Sequence, residues 1–369
     1  MARALIVGSG LAAATTARVL GDAGVGVEVV EAGPSWGGQL RPAEANGVLY
    51  EPHGAHIFHT TDTAAWDFVR RFASFRPYRH RVMTEVQGRL LSWPPQVAEL
   101  QTLAQWPGVR AELDALPAEP DATNFETWCV SVMGATLYDW FIEPYTRKQW
   151  DCEPSSLTSK WAPRRIELRD DGYTDLFRDP HQGWPVGGYG TLIDGLLKET
   201  SVTMGVRASA DDIADWVDDY DAVLVTAPLD ELFAERLGPL PWRGVHLVNR
   251  YVPGVDHVLP CGVVNHPGLD QPYTRRIETK WMSGQEQLGT VVSQETPGAP
   301  VRHYPVDDVE GDNRRLAQRY QQLLREEFGP TVFLAGRLAT YTYINMDQAV
   351  RQGLNAAAGM MRQLDTAAA

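Results

Sequence analysis

Residues 1–31, MARALIVGSGLAAATTARVLGDAGVGVEVVE, commit the start of the chain to one arrangement. Arg3 to Val7 reads as a short buried strand, and Gly8-Ser9-Gly10-Leu11-Ala12-Ala13 as a GxGxxA turn. Ala12 to Leu20 has a helical pattern that stops at Gly21 or Gly24, and Val25 to Val30 is a second strand with Glu31 at its end. This is a βαβ unit. Glycine lets backbone approach a pyrophosphate, and the helix N-terminus offers N–H donors and positive dipole. Glu31 can accept hydrogen bonds from a ribose diol. The binding residues predicted here are Gly8, Gly10, Leu11 and Glu31. A secretory signal also begins with a basic residue and an apolar run, but Gly8 and Gly10 interrupt that run too early.

Gly37-Gly38 follows six residues after Glu31, in EAGPSWGGQLRP. A second glycine pair just past the acidic residue is typical of FAD proteins rather than NAD dehydrogenases. Gly38 and Gln39 therefore join the predicted cofactor residues, against the plainer alternative of a Gly/Pro surface loop. The net charge of −14 and pI near 5.1 argue against nucleic-acid binding, which needs a basic face. A few inward-pointing arginines can still receive an anionic small ligand. Cys129, Cys152 and Cys261 form no disulfide framework or CxxC pair, so a reducing, cytoplasmic compartment is expected. No run approaches the ~18 apolar residues of a membrane span.

Further along, Trp93 to Lys160 is mainly helical by its Trp and Leu spacing. Shorter β-like runs fill 80–93 and 227–305, such as GVHLVNRYV and LGTVVSQETP. YDAVLVTAP (220–228) and TVFLAGRL (331–338) read as buried parallel strands, and Met346 to Leu364 as a helix with one apolar stripe. The fold class expected is α/β plus α+β. An FAD-binding Rossmann-like domain is built from 1–79, 185–227 and 328–369, with a helical insert at 94–163. An antiparallel β-sheet domain comprises 80–93, 164–184 and 228–327.

EPHGAHIFHT places His53, His56 and His59 three residues apart. In a strand such residues point to opposite faces, and Gly54, between Pro52 and the apolar Ile57-Phe58 pair, does not suit a helix. No metal site is expected. His53 reads as a packed histidine.

HGAHIFHT (53–60), with Trp66, Phe68 and FRPYRHRV (75–82), resembles the N-terminal signature of UDP-galactopyranose mutases. EPYTRKQW (143–150), RRIELRDDGYTDLFRDPHQGWPVGGYGTLIDGLL (164–197) and DAVLVTAPLD (221–230) continue the likeness. QPYTRRIETKW (271–281), SQETPG (293–298), HYPVDD (303–308) and AGRLATYTYINMDQAV (335–350) follow in family order. The resemblance spans almost the whole chain. It implies an isomerase that interconverts pyranose and furanose forms of a nucleotide-diphosphate sugar, by default UDP-galactopyranose and UDP-galactofuranose. FAD, active when reduced, would act through a sugar adduct at flavin nitrogen-5, and NAD(P)H would be the external reductant.

The same resemblance implies roles for residues. Arg169 and Arg275 match the two arginines that clamp the diphosphate. Tyr304 and Tyr343 match phenols beside the same oxygens, and Tyr341 matches less closely. Tyr145 and Trp150 match the residues that hold the nucleoside. Asn265 is a further substrate candidate. His56, His59, Arg337 and Met346 match positions on the flavin side, and Asp347 opens the last helix with Met346. The chain departs from the family pattern at several positions: His181 replaces a tyrosine, Asn345 an aspartate, Gln39 an asparagine, Ala13 a glycine, and SWPPQ (92–96) stands for a leucine-proline motif. His181 is retained as a substrate-binding candidate, and a different sugar or nucleotide is the alternative. A flavin oxidoreductase of the amine or sugar oxidase type and a non-catalytic nucleotide-binding module are the competing readings. A homodimer is carried as an expectation for assembly.

Overall fold

The computed structural model describes residues 2–160, 162–164 and 166–368. The predicted βαβ unit forms: Arg3–Val7 and Gly26–Glu31 are parallel strands joined by the helix Leu11–Asp22. They lie in a five-stranded parallel sheet ordered Ser201–Met204, Gly26–Glu31, Arg3–Val7, Ala222–Val225, Val332–Leu334. The chain leaves this sheet twice and returns, so the domain is discontinuous, as the two buried apolar runs near 222 and 332 imply. Gly8 has φ +98°, and a Cβ there would stand 2.2 Å from Thr226 Oγ1. Only glycine lets the first strand end that close to its neighbour.

The last helix, Met346–Ala368, carries the predicted stripe, with Val350, Ala357 and Leu364 buried. It packs on the first helix. Thr16 Oγ1 donates to the Gly353 carbonyl at 3.0 Å.

The second sheet has six strands: Trp242–Val252, Thr290–Pro305, Arg275–Ile277, Val263–Asn265, Val82–Val86 and Arg89–Trp93. It differs from the antiparallel expectation in one pair, since Val263–Asn265 runs parallel to Val82–Val86. Two further boundaries shift. Leu229–Leu232 and the helix Asp312–Phe328 pack against the parallel sheet, through Leu229, Leu232, Tyr320 and Leu324. Residues 181–185 pair with Phe58–Thr60 and Phe75–Pro77 in a separate three-stranded sheet.

The helical insert has its own core of Phe125, Cys129, Met133, Leu137 and Phe141. Asn124 caps the helix Phe125–Met133, accepting the Thr127 N–H at 2.9 Å, while Thr127 Oγ1 accepts the Asn124 N–H at 3.2 Å. A π-type turn at Tyr138–Ile142 then leads into the helix Glu143–Trp150.

The contact between first and last helices makes a directional prediction. In a helix interior, Gly→Ala ordinarily stabilises by about 1 kcal/mol. A Cβ on Gly353 would lie 2.5 Å from the Ala12 carbonyl oxygen and 2.7 Å from Thr15 Cβ. Overpacking of this kind costs about 1–3 kcal/mol. Gly353→Ala is therefore expected to lower the thermal midpoint by several degrees; a raised midpoint would contradict the close helix contact.

Candidate active site

One rung of the six-stranded sheet supplies the polar floor of the site. Thr84, Asn265, Arg275 and Glu295 are register neighbours across four strands. Arg275 Nε and Nη2 donate to Glu295 Oε1 and Oε2, each at 2.8 Å. The Glu295 side chain is 1% exposed and that of Arg275 23%. Burial works against the guanidinium charge, but the Glu295 carboxylate outweighs it and holds Arg275 firmly protonated. Arg275 Nη1 has no hydrogen-bond partner among the described residues. Asn265 Nδ2 reaches Thr84 Oγ1 at 3.4 Å.

This rung borders a cavity of about 360 Å³ that lies between the two sheets and the helical insert. The cavity wall gathers Gln39, His56, His59, Tyr145, Trp150, Arg169, Asn265, Arg275, Tyr304, Arg337, Tyr343 and Met346 from segments far apart in sequence. Tyr304 and Tyr343 stack with centroids 5.5 Å apart, and the Arg337 guanidinium lies 5.7 and 5.4 Å from their rings. Arg337 is fixed by donating to the carbonyls of His303 at 2.8 Å and Ile344 at 2.7 Å. Burial raises the Tyr304 phenol, Glu295 adds to the shift and Arg275 opposes it, so the hydroxyl stays a neutral donor. Burial likewise raises Tyr145.

Tyr145 and Trp150 sit on one helix, five residues apart, and face different directions. The Trp150 ring meets Tyr304 edge-on at 6.2 Å. Two cations hold this helix. Lys148 Nζ donates to the carbonyls of His266, Gly268, Gln271 and Tyr273 at 2.5–3.2 Å. Arg243 donates to the carbonyls of Gln149 at 2.7 Å and Lys148 at 3.2 Å, satisfying the helix C-terminus.

The three histidines of the 53–60 stretch take three different neighbours. His53 approaches His303 at 6.2 Å between centroids. The His56 N–H donates to the buried Glu51 carboxylate at 2.8 Å, and the ring sits edge-on to Tyr189. His56 Nδ1 is 3.4 Å from Glu51 Oε1 but without hydrogen-bond geometry, so the backbone bond is the firmer tie. His59 Nδ1 lies 2.5 Å from Asp179 Oδ2, with its ring stacked on Phe177 at 3.5 Å. Among the described residues, no group of three His, Cys, Asp or Glu side chains is placed to hold a metal ion.

Local geometry suits a bound FAD. Gly38 and Gly10 come together across the two glycine turns: a Cβ on Gly38 would meet Gly10 Cα at 3.5 Å, while one on Gly10 would meet nothing within 4 Å. The helix beginning at Leu11 has no side-chain cap, which leaves its first N–H groups for an anion. Glu31 accepts from Ser9 N–H at 2.9 Å, Ser9 Oγ at 2.5 Å and Gly33 N–H at 2.7 Å, and keeps lone pairs for a ribose. Gly8, Gly10, Leu11, Glu31 and Gly38 lie at this turn and outside the cavity wall. Met346 opens the last helix at the cavity, aiming its N-terminus there.

Three candidates are placed differently from expectation. His181 does not line the cavity. Its strand pairs with Phe58–Thr60, and the ring stacks on Trp66 at 5.5 Å. Arg169 lines the cavity but turns its N–H groups inward. Nη1 donates to the carbonyls of Tyr173 at 3.0 Å and Asp175 at 2.6 Å, and Nη2 to Glu167 at 2.8 Å and Leu176 O at 3.1 Å. In this state its two terminal nitrogens brace residues 170–176, while Nε is buried without a hydrogen-bond partner among the described residues. Tyr341 is core: it is fully buried and donates to the Pro241 carbonyl at 2.6 Å. Sequence reasoning missed Glu51, His80, Glu295 and His303. Glu51 stood at the head of the histidine stretch, where its bond to the His56 N–H is a matter of loop conformation, and Glu295 stood inside a matched motif with its partner on another strand.

The chain shows similarity to known proteins along its length. The family model described as UDP-galactopyranose mutase matches residues 140–343, and that of an NAD(P)-binding Rossmann-like domain matches residues 6–72. A dTDP-fucopyranose mutase of Escherichia coli is 28% identical, over 97% of this chain and 98% of that protein. A probable UDP-galactopyranose mutase of Klebsiella pneumoniae is 28% identical, over 96% of this chain and 93% of its own. The crystal structure of a reduced UDP-galactopyranose mutase superposes with TM-score 0.81 at 17% identity, covering 98% of this chain and 96% of the other. No helix among the described residues is long and apolar enough to cross a membrane.

Buried imidazoles give the site a pH signature. Burial, aided by Arg275 and His59, pulls His80 from 6.5 to about 3. Burial, aided by His53 and Arg337, pulls His303 from 6.5 to about 4. Below pH 6.5 the denatured chain takes up protons that these folded residues refuse, so acid favours unfolding. Each imidazole contributes about 1.4 kcal/mol per pH unit in that window. Urea midpoints should fall between pH 6.5 and about 4, and His80→Gln should flatten the fall; an unchanged slope would contradict the neutral assignment.

Proposed function

The chain belongs to the UDP-galactopyranose mutase family, and on that premise we propose that it interconverts pyranose and furanose forms of a nucleoside-diphosphate sugar, with UDP-galactopyranose and UDP-galactofuranose as the default pair. Members of the family are isomerases, and the FAD-type turn fits a flavoprotein. The observation that carries the reading is the Arg275–Glu295 rung facing Tyr304, Tyr343 and Trp150 across one cavity.

When bound and reduced, the flavin supplies the nucleophile, its N5, toward the anomeric carbon. This chain's residues do the rest. Arg275 meets the charge that grows on the departing diphosphate, and Glu295 fixes the direction of its fork. Tyr304 and Tyr343 add neutral donors on the same side. Tyr145 and Trp150 hold the nucleoside from two directions. Gly10, Gly38, Glu31 and the first helix would hold the dinucleotide part of FAD, with His56 on the flavin side. NAD(P)H serves as the reductant.

A thymidine-linked substrate is the second reading. The E. coli relative is named a dTDP-fucopyranose mutase, and Trp93, Phe125, Phe141, Ile142 and Ile166, all of the helical insert's apolar cluster, give the cavity wall an apolar share that suits a methylated pyrimidine.

Enzyme reduced with dithionite or NAD(P)H should be incubated with UDP-galactopyranose and dTDP-fucopyranose separately and assayed by NMR. Furanose product without stoichiometric consumption of reductant is expected. Stoichiometric NAD(P)H oxidation would instead support a flavin oxidoreductase. Arg275→Lys keeps a counter-charge for Glu295 but loses the planar fork. It should retain FAD and lower turnover roughly 10²-fold; unaltered turnover would remove Arg275 from the role given to it.

A further inference from the structure

His303 has a fixed tautomer. Its Nδ1 accepts the backbone N–H of Val245 at 3.2 Å, which leaves the ring proton on Nε2. The residue is 4% exposed and lines the cavity. Nε2 is buried and has no hydrogen-bond partner among the described residues. A buried N–H without an acceptor is rare in folded proteins and points to a ligand that supplies one.

Placement indicates which ligand. The backbone around His303 is held from the flavin side. Arg337 Nη1 donates to the His303 carbonyl at 2.8 Å, and Gln39 Nε2 donates to the Arg302 carbonyl at 3.2 Å. Gln39 follows directly on Gly38, which packs against Gly10 at the dinucleotide turn. Tyr304 turns its ring to Tyr343 and Trp150, whereas the His303 ring lies 6.2 Å from that of His53, in the segment that also carries His56.

We propose that His303, through Nε2–H, donates a hydrogen bond to the isoalloxazine ring of the bound flavin and so helps to hold that ring reduced. This rests on the flavin reading of the site. A hydrogen bond to an anionic acceptor is stronger than one to a neutral acceptor, so the bond favours the negatively charged reduced ring over the oxidised one. The imidazole is uncharged above about pH 4, because burial first, and then His53, Arg337, His56 and Arg275, disfavour protonation. It therefore acts as a neutral donor.

Two substitutions separate hydrogen bonding from packing. His303→Phe removes the donor and the acceptor for Val245; His303→Gln offers both from an amide. With FAD-loaded protein equilibrated against a redox dye, His303→Phe should lower the ratio of reduced to oxidised flavin about tenfold at a given potential. His303→Gln should stay within about threefold of the parent, and the absorbance maximum of the oxidised flavin should shift only in His303→Phe. Equal shifts in both variants, or none in either, would overturn the proposal. Should His303→Phe not fold, 15N-histidine NMR of the parent protein decides. Adding FAD must move the Nε2 resonance while Nδ1 keeps its acceptor signature. A response to nucleotide sugar and not to FAD also overturns it, and failure to bind FAD at all would instead remove the flavin reading beneath it.

Discussion

A guanidinium and a carboxylate, paired side by side on one sheet rung, set the geometry of the site. Arg275 and Glu295 exchange two parallel bonds of 2.8 Å with the acid almost wholly enclosed. Stranding either charge costs about 3–5 kcal/mol, so neither turns away without the other. The pair also shapes the flavin side. Gly54 has φ +115°, and a Cβ there would lie 3.5 Å from Glu295 Oε2 and 3.9 Å from Arg275 Nη2. The loop that presents His56 therefore closes directly over the pair, and the sheet is coupled to the flavin-binding segment through this contact.

That arrangement reconciles an acidic protein with an anionic substrate. The net charge of −14 is spread over the surface, where salt screens it within about 8 Å at physiological ionic strength. Inside the cavity, screening is weak and individual groups decide. Arg275 is paired with the Glu295 carboxylate, Arg337 is spent on two carbonyls and two rings, and Arg169 on its own loop. His80 and His303 are held neutral by burial. The cavity thus offers directional donors rather than a large positive field, which suits a reaction in which the same diphosphate must leave and be recaptured.

Local patterns carried most of the fold into view. The glycine turn, Glu31, the runs near 222 and 332 and the stripe of the last helix are each readable within a few turns of chain, because each reflects backbone freedom or one-sided burial. The helix Asp312–Phe328 had such a signal, with Ala317, Tyr320 and Leu324 on one face, but lay in a stretch read for its neighbouring strands. Side-chain partnerships were less visible. Glu295 meets Arg275 because two strands share a register, and Val245 meets His303 across another pair. Motif position placed His181 near the substrate, whereas the alternation of its strand directs the ring to Trp66. Arg169 lies in the cavity wall, but the carbonyls that occupy it belong to loop conformation, which composition does not encode.

The groups that would grip substrate come from three substructures, so their mutual distances depend on the joints between them. Those joints share one chemistry, a cation donating to main-chain carbonyls. Lys148 ties the helix of Tyr145 and Trp150 to the 266–273 loop, Arg243 ties the end of that helix to the sheet, and Arg337 ties the last strand of the sheet to the flavin domain. A carbonyl has no protonation state and no rotamer, so such a joint fixes distance better than a side-chain ion pair does. Arg169 uses the same chemistry on residues 173–176, but its acceptors lie within its own loop. It therefore fastens no substructure to another, and of the arginines that border the cavity it is the one whose release would leave the rest of the frame standing.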